Sequence, residues 1–195
     1  MLRIHQENLN TPAYFDQIWS TPDFHRFDRV RMEAFVEKVR EGDLVLDVGC
    51  GLFGWAEYLM TLRRPRAIAH AVDFSPYALQ TLGERCPGLI LAHADIREGL
   101  PYASGSFDMV GAGELIEHME HPQALVDELA RATKPGGWIV VGTVDPHCED
   151  GKDLEYPEHL WEFTPAELAA FSAKHGPTQY KRVGNYDFTF CRKGF

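Results

Sequence analysis

Disulfide and zinc scaffolds are the first classes set aside by what this chain lacks. Its four cysteines, Cys50, Cys86, Cys148 and Cys191, stand far apart without C-x-x-C spacing. Neither a zinc knuckle nor a disulfide framework is expected, and a reducing compartment suits such a composition. No stretch reaches the roughly 18 consecutive apolar residues of a membrane-spanning helix. Met1–Asn10 is polar and carries no apolar signal core, so the expected location is cytoplasmic. Positive charge is scarce too. Nineteen Lys and Arg against 29 Asp and Glu leave a formal net charge of −10, which disfavours phosphate neutralisation and makes nucleic acid an unexpected partner. The small cluster Arg63, Arg64 and Arg66 reads as charge compensation at a helix C-terminus. Repeats, low-complexity tracts and linkers are missing, and 195 residues suffice for one domain with a substantial core.

What is present alternates. Apolar strand patterns at Leu44–Val48, Ala67–Asp73, Leu89–Ala94, Phe107–Ala112 and Trp138–Val144 are separated by helix patterns at Gly54–Leu62, Pro76–Arg85 and Gln123–Thr133. That alternation predicts βαβ units, an α/β fold and a doubly wound, mostly parallel sheet. Such sheets bind ligands beyond the carboxyl ends of their strands, where strand order reverses. An amphipathic helix is expected over Phe27–Val39, with Val30, Ala34, Phe35 and Val39 on one face. Thr164, Pro165 and Glu167 form an N-cap, first-turn proline and capping-box glutamate for a later helix. Two short strand patterns, Gln179–Val183 and Phe188–Cys191, end the chain.

The most informative segment joins the first of these strands to its helix. Gly49, Gly51 and Gly54 spell G-x-G-x-x-G, and Asp73 follows nineteen residues after Gly54. Glycines at this corner allow a tight turn and close approach of a ligand, and the acidic residue about 20 positions on suits ribose hydroxyls. A nicotinamide-dependent oxidoreductase therefore competes. Asp47 argues against it: a carboxylate just before the glycines would repel a pyrophosphate held at the helix N-terminus. It would suit a ligand with a cationic head, such as the amino and sulfonium groups of S-adenosylmethionine.

Further motifs then fall into order. Leu46-Asp47-Val48-Gly49-Cys50-Gly51, Val72-Asp73-Phe74-Ser75-Pro76, Ala94-Asp95-Ile96, Ser106-Phe107-Asp108-Met109-Val110, Glu114-Leu115-Ile116-Glu117-His118 and Lys134-Pro135-Gly136-Gly137 span most of residues 44–144. Together they resemble the motif series of class I S-adenosylmethionine-dependent methyltransferases, of the type acting on small molecules. The family usually places its third glycine where this chain has Phe53, so Gly54 is given no ligand role. The resemblance implies a Rossmann-like sheet of about seven strands closed by an antiparallel C-terminal pair. It also implies a single methyltransferase domain, with residues 1–40 as a helical cap over a cofactor-binding core of residues 41–195. S-adenosylmethionine is the implied cofactor, with S-adenosylhomocysteine as its product. The expected acceptor is a small molecule methylated on oxygen. A catalytically silent, cofactor-binding partner subunit is the third reading, and acceptor identity and oligomeric state stay open.

Residue by residue, the resemblance assigns cofactor binding to Asp47, Gly49, Gly51, Asp73, Phe74, Asp95, Ile96 and Glu114. Asp73 would take the ribose hydroxyls, Asp95 the adenine amine, and Ile96 and Phe74 the ring faces. His118 is the candidate general base, since a neutral imidazole accepts a proton near neutral pH; His147 and His159 are alternatives. If residues 114–118 are helical, Glu114, Glu117 and His118 share one face. With His159 they then form an alternative site for a divalent ion of the magnesium or manganese class. A metal-free pocket is the preferred expectation. Tyr14 and Trp19 are candidates for the remaining wall.

Overall fold

The computed structural model describes residues 2–5, 8–21, 29–62, 67–145 and 156–195. Its elements, in chain order, are β1 (Leu2–Arg3), α1 (Pro12–Trp19), α2 (Arg29–Val36), β2 (Leu44–Val48), α3 (Trp55–Thr61), β3 (Ile68–Asp73), α4 (Pro76–Arg85) and β4 (Ile90–His93). They continue with β5 (Phe107–Gly113), α5 (Pro122–Ala132), β6 (Thr133–Val144), β7 (Trp161–Glu162), α6 (Pro165–Ala173), β8 (Thr178–Val183) and β9 (Tyr186–Arg192). Single 3-10 turns occupy Ile96–Glu98 and Ile116–His118.

Seven strands form one sheet in the order β4-β3-β2-β5-β6-β9-β8. Strands β2 to β6 pair in parallel, and β9 runs antiparallel to both β6 and β8. The chain builds outward from β2 through β3 to β4, then returns to lay β5 and β6 on the other side. Strand order thus reverses between β2 and β5, and the ends of those strands frame a crevice. Alternating side chains divide the interior into two apolar layers. On one face Val45, Ala71, Met109 and Phe188 pack with Phe35, Trp55 and Leu59 from α2 and α3. On the other, Leu46, Val72, Val110 and Ile139 pack with Leu125, Val126 and Leu129 from α5. No helix among the described residues is long and apolar enough to cross a membrane.

Local chemistry sets the helix starts. Ser75 Oγ accepts from Ala78 N–H (3.0 Å) ahead of Pro76, and Thr164 and Glu167 complete the capping box of α6. Thr11 likewise caps α1, whose first residue is Pro12. A helical cap was expected over residues 1–40, but without these bounds.

Three further differences have physical causes. On α2 the buried residues are Met32, Ala34 and Phe35, whereas Val30, expected on the inner face, is 49% exposed. The helix meets β5 and α3 through Phe35, and this fixes its rotation. Strand β6 begins at Thr133, five residues before the expected Trp138, and the Pro135-Gly136-Gly137 segment lies within it. Residues Leu2 and Arg3 pair with Glu162 and Trp161, a contact across the chain that no local pattern announces. His147, Cys148, the basic cluster Arg63, Arg64 and Arg66, and the expected helix start at Phe27 lie outside the described residues.

Phe35 is the keystone between α2, α3 and the sheet. Its ring stacks on Trp55 at 5.5 Å and meets Phe188 edge-on at 5.3 Å. Gly111 and Gly113 of β5 leave room for it, since a Cβ at either would come within 3.0 Å of the ring. Truncation by Phe35→Ala should lower unfolding stability by about 3–5 kcal/mol, read as a reduced urea midpoint with an unchanged m-value.

Candidate active site

The corner after β2 is held from inside. Asp47 is buried, and its Oδ2 accepts from the main-chain N–H of Ala56 (3.0 Å) in the first turn of α3. Gly54 occupies the N-cap of that helix, which has no side-chain cap bond of its own. A Cβ on Gly54 would collide with Asp47 Oδ2, so glycine at 54 is what lets the aspartate serve as the cap. Asp47 also borders the larger of the two cavities here, so its carboxyl both caps the helix and faces ligand space. Burial pushes its carboxyl up to about 7, opposed by the Ala56 N–H and by the charge of Arg31.

Beyond Asp47 the chain turns through Gly51 at φ +50°, in the left-handed region that favours glycine. The Gly51 N–H donates to Asp73 Oδ2 (2.8 Å), and the Ser75 N–H donates to Asp73 Oδ1 (2.8 Å). Asp73 is buried at the end of β3, and burial raises its pKa while these N–H donors lower it. Together with Gly49, Phe74, Ala94 and Ile96 it lines a slot of about 80 Å³. Glu114, Asp95 and His118 also reach this slot. Asp95 already has a partner there. Arg97 binds both its oxygens, with Nε to Oδ1 at 2.8 Å and Nη2 to Oδ2 at 2.5 Å. That partner holds the Asp95 carboxyl below its usual value.

A second, larger cavity of about 350 Å³ adjoins the first, and Phe15, Trp19, Gly49, Glu114 and His118 border both. Helix α1 therefore forms the divide. Phe15 packs against Phe74 and His118, each at 5.6 Å, and Trp19 lies over Gly51, where a Cβ would come within 2.8 Å of the indole. Asp16 on the same helix accepts from Ser75 Oγ at the head of α4. Tyr14 OH donates to Glu158 Oε2 (3.4 Å); of the two expected wall aromatics, Trp19 borders both cavities and Tyr14 borders neither.

Glu114 departs from the expected helical trio. It has φ +53°, left-handed for a non-glycine residue, and forms an ion pair with Arg31. Because only Ile116–His118 make a single 3-10 turn, Glu114 is not on a common helical face with Glu117 and His118. The potential ligand atoms that do converge belong to Glu117, His118 and His159, all within 4.8 Å of one another. Both Glu117 oxygens are buried without a hydrogen-bond partner among the described residues. Burial pushes this carboxyl up to about 8, with the Glu114 charge adding to the rise and the charge of Arg31 opposing it.

His118 donates Nδ1–H to the Glu158 carbonyl (3.1 Å), which leaves Nε2 as the acceptor of the neutral ring. Burial lowers its pKa to about 4; His159, buried beside it with rings 4.8 Å apart, falls to about 2. Both imidazoles are uncharged at neutral pH. Tyr156 stacks on His159 at 4.4 Å and closes the far wall.

Contributors that escaped the sequence reading include Asn10, Phe15 and Arg31. Arg31 carried a usable signal, since it lies beside Met32 and one turn before Phe35 on the buried side of α2. A charge in that position calls for a partner. Asn10 carried none, because its partners lie up to 148 residues away.

Comparison with known proteins agrees with this geometry. Residues 46–141 match the family model described as a methyltransferase domain. Demethylmenaquinone methyltransferase of Halalkalibacterium halodurans is 32% identical over 71% of this chain and 58% of its own length. Ubiquinone biosynthesis O-methyltransferase of Xylella fastidiosa is 31% identical over 72% of this chain and 60% of its own. The chain thus spans about six tenths of the length of these curated relatives. Among solved structures, an S-adenosylmethionine-dependent methyltransferase from Aquifex aeolicus superposes with a TM-score of 0.70 at 16% identity, covering 93% of this chain and 97% of that one. That likeness is one of fold.

The raised pKa of Asp47 has a consequence for stability. An ordinary aspartate titrates at 3.8, against about 7 for this one in the folded protein. Between those values the folded state keeps a proton that the unfolded chain releases, so this group's contribution is lost as pH rises from about 4 to 7. Asp47→Asn removes that dependence while keeping an acceptor for Ala56. The variant should gain stability relative to the parent across this window and level off above it, as read from urea midpoints at about pH 4.5, 6 and 8.

Proposed function

Through residues 46–141 the chain belongs to the class I S-adenosylmethionine-dependent methyltransferase family, and we propose that it methylates a small-molecule acceptor on oxygen. The observation that carries the reading is Asp73. Two main-chain donors fix its buried carboxylate at the wall of the slot, and a carboxylate has about four acceptor positions, enough to take a vicinal diol as well. The residues present fit the cofactor along its length. Phe74, Ile96, Leu115 and Met119 offer apolar surface for a flat base. The Arg31–Glu114 ion pair borders the larger cavity and would have to share its charges with an amino-acid head, and the glycine turn keeps the main chain open to close approach.

When bound, S-adenosylmethionine supplies an electrophilic methyl group on a sulfonium. The chain's own contribution is positioning, with one group suited to proton transfer. Nε2 of His118 would accept the proton of an acceptor hydroxyl, its ring oriented by the Glu158 carbonyl. The larger cavity, at about 350 Å³, lies within the range of small-ligand sites. Tyr156 and Tyr186 supply aromatic wall there, the two imidazoles are neutral, and Arg31, Asp47, Glu114 and Glu158 supply the carboxyl and guanidinium groups on the lining. The competing readings, a nicotinamide oxidoreductase and a silent cofactor-binding subunit, separate by titration and by turnover.

Isothermal titration should show binding of S-adenosylhomocysteine and no response to NAD. Asp73→Ala should weaken the former by about 1.5–3 kcal/mol, at least roughly tenfold. Micromolar NAD binding with no response to the sulfur nucleoside would reverse the assignment.

A second reading rests on the unpartnered Glu117. Two imidazole nitrogens and one carboxylate would suit zinc, iron or manganese better than magnesium, because Glu114 is committed to Arg31. A bound ion would also occupy His118 and remove it as a base. We favour the metal-free arrangement, in which Glu117 is buried as a neutral acid. Elemental analysis of the purified protein should then find no stoichiometric metal, and manganese or zinc should leave the melting temperature unchanged. A stoichiometric ion removed by chelation, with a matching drop in melting temperature, would establish the metal site instead.

A further inference from the structure

The turn between β2 and α3 is held from two sides. From within, Asp47 accepts the Ala56 N–H. From the other side it is held by Arg85, the last residue of α4. One guanidinium makes three contacts there. Nε and Nη2 both donate to the Glu57 carboxylate, Nη2 to Oε2 at 2.7 Å, and Glu57 lies in the first turn of α3. Nη2 also donates to the main-chain carbonyl of Leu52, in the turn itself. The guanidinium carbon lies over the Phe53 ring, 4.7 Å from its centre. The Glu57 side chain is only 13% exposed, so this pair is sheltered from the screening that makes surface pairs weak. A planar fork can serve a carboxylate, a carbonyl and an aromatic face together; an ammonium group cannot.

We propose that Arg85 is a positioning residue for the cofactor's amino-acid arm, acting through Leu52 and Phe53 without touching the cofactor. The inference rests on the methyltransferase reading and deepens it by naming what keeps the turn ready for that arm. Gly51, Phe53 and Gly54 border the larger cavity and not the slot, whereas Asp73, Phe74, Asp95 and Ile96 border the slot alone. An adenosine seated in the slot therefore sends its amino-acid arm over the part of the turn that Arg85 holds. Arg85 itself borders neither cavity. Two glycines within four residues, Gly51 and Gly54, give this turn wide conformational freedom unless something fixes it. A turn left unfixed has to be ordered by the ligand, and each residue ordered on binding costs roughly tenfold in affinity. Fixing the turn beforehand removes that cost.

The test is isothermal titration with two probes, S-adenosylhomocysteine and methylthioadenosine, which keeps the adenosine and the sulfur but has no amino-acid arm. Arg85→Ala should weaken S-adenosylhomocysteine by about tenfold and methylthioadenosine by no more than about threefold. A merely structural role for Arg85 would weaken both ligands in proportion; that result, or unchanged affinity for both, overturns the proposal. If circular dichroism shows that Arg85→Ala does not fold, Arg85→Lys serves. It keeps a positive charge beside Glu57 but loses the fork and the flat face. It should still weaken S-adenosylhomocysteine by at least about threefold with methylthioadenosine unchanged, and retention of the parent affinity would refute the assignment. Equal binding of both ligands by the parent protein sinks this inference alone, because the arm then gains nothing from the turn. Binding of neither removes the methyltransferase reading beneath it and this inference with it.

Discussion

A carboxyl group withdrawn from water at the end of β2 organises the ligand side of this molecule. Asp47 holds the first turn of α3 through Ala56, and Gly54 is the residue that makes room for it. With that corner fixed, Gly51 turns left-handed and gives its N–H to Asp73, so side-chain bonds tie the ends of β2 and β3 in addition to the sheet ladder. A fully ionised carboxylate would be costly to bury there. Its pKa of about 7 shows how the cost is reduced: near neutral pH the group carries only part of a charge.

The same economy of charge extends through the cavities. Arg31 is matched by Glu114 and Arg97 by Asp95, while His118 and His159 are held neutral by burial. Local pairs and neutral groups thus surround the space where a ligand would lie. Low dielectric strengthens each of these interactions and penalises any group left unmatched. Among the described residues, the unmatched groups near this space are the Glu117 carboxyl, the Asn10 amide oxygen and the Trp55 indole N–H. Helix α1 contributes in another way. It has no buried residue, yet Phe15 and Trp19 divide the two cavities, and its attachment includes Asp16 at the head of α4 and Tyr14 on Glu158.

Much of the fold was legible because its signals are local. The strand at Leu44–Val48 was read to the residue, as was the helix at Pro76–Arg85, where Ser75 and Pro76 mark the start chemically. The candidate site was legible in part. Asp73, Phe74, Asp95 and Ile96 were singled out by position, and the fold brings all four to one slot. Their bonding was not readable. Asp95 is committed to a neighbour two residues away, Asp47 to a helix that starts eight residues later, and Glu114 to an arginine from another element. A helical trio was expected where a left-handed glutamate interrupts the chain, since a spacing of three and four residues implies a shared face only if the backbone is helical.

The sequence by itself determined the βαβ alternation, the corner glycines and the acidic residues at strand ends. Each depends on the conformational preferences of a few adjacent residues and on the period of their side chains. Tertiary structure alone decided which of those polar groups remain available to a ligand. Asn10 meets Arg97 and Glu158, Arg31 meets Glu114, and His118 meets His159 across separations that no local pattern encodes. Those encounters set burial, and burial set the charge state of Asp47, Glu117 and the two histidines. The identity of a residue fixes what it can donate or accept; the packing around it fixes whether that capacity is already spent.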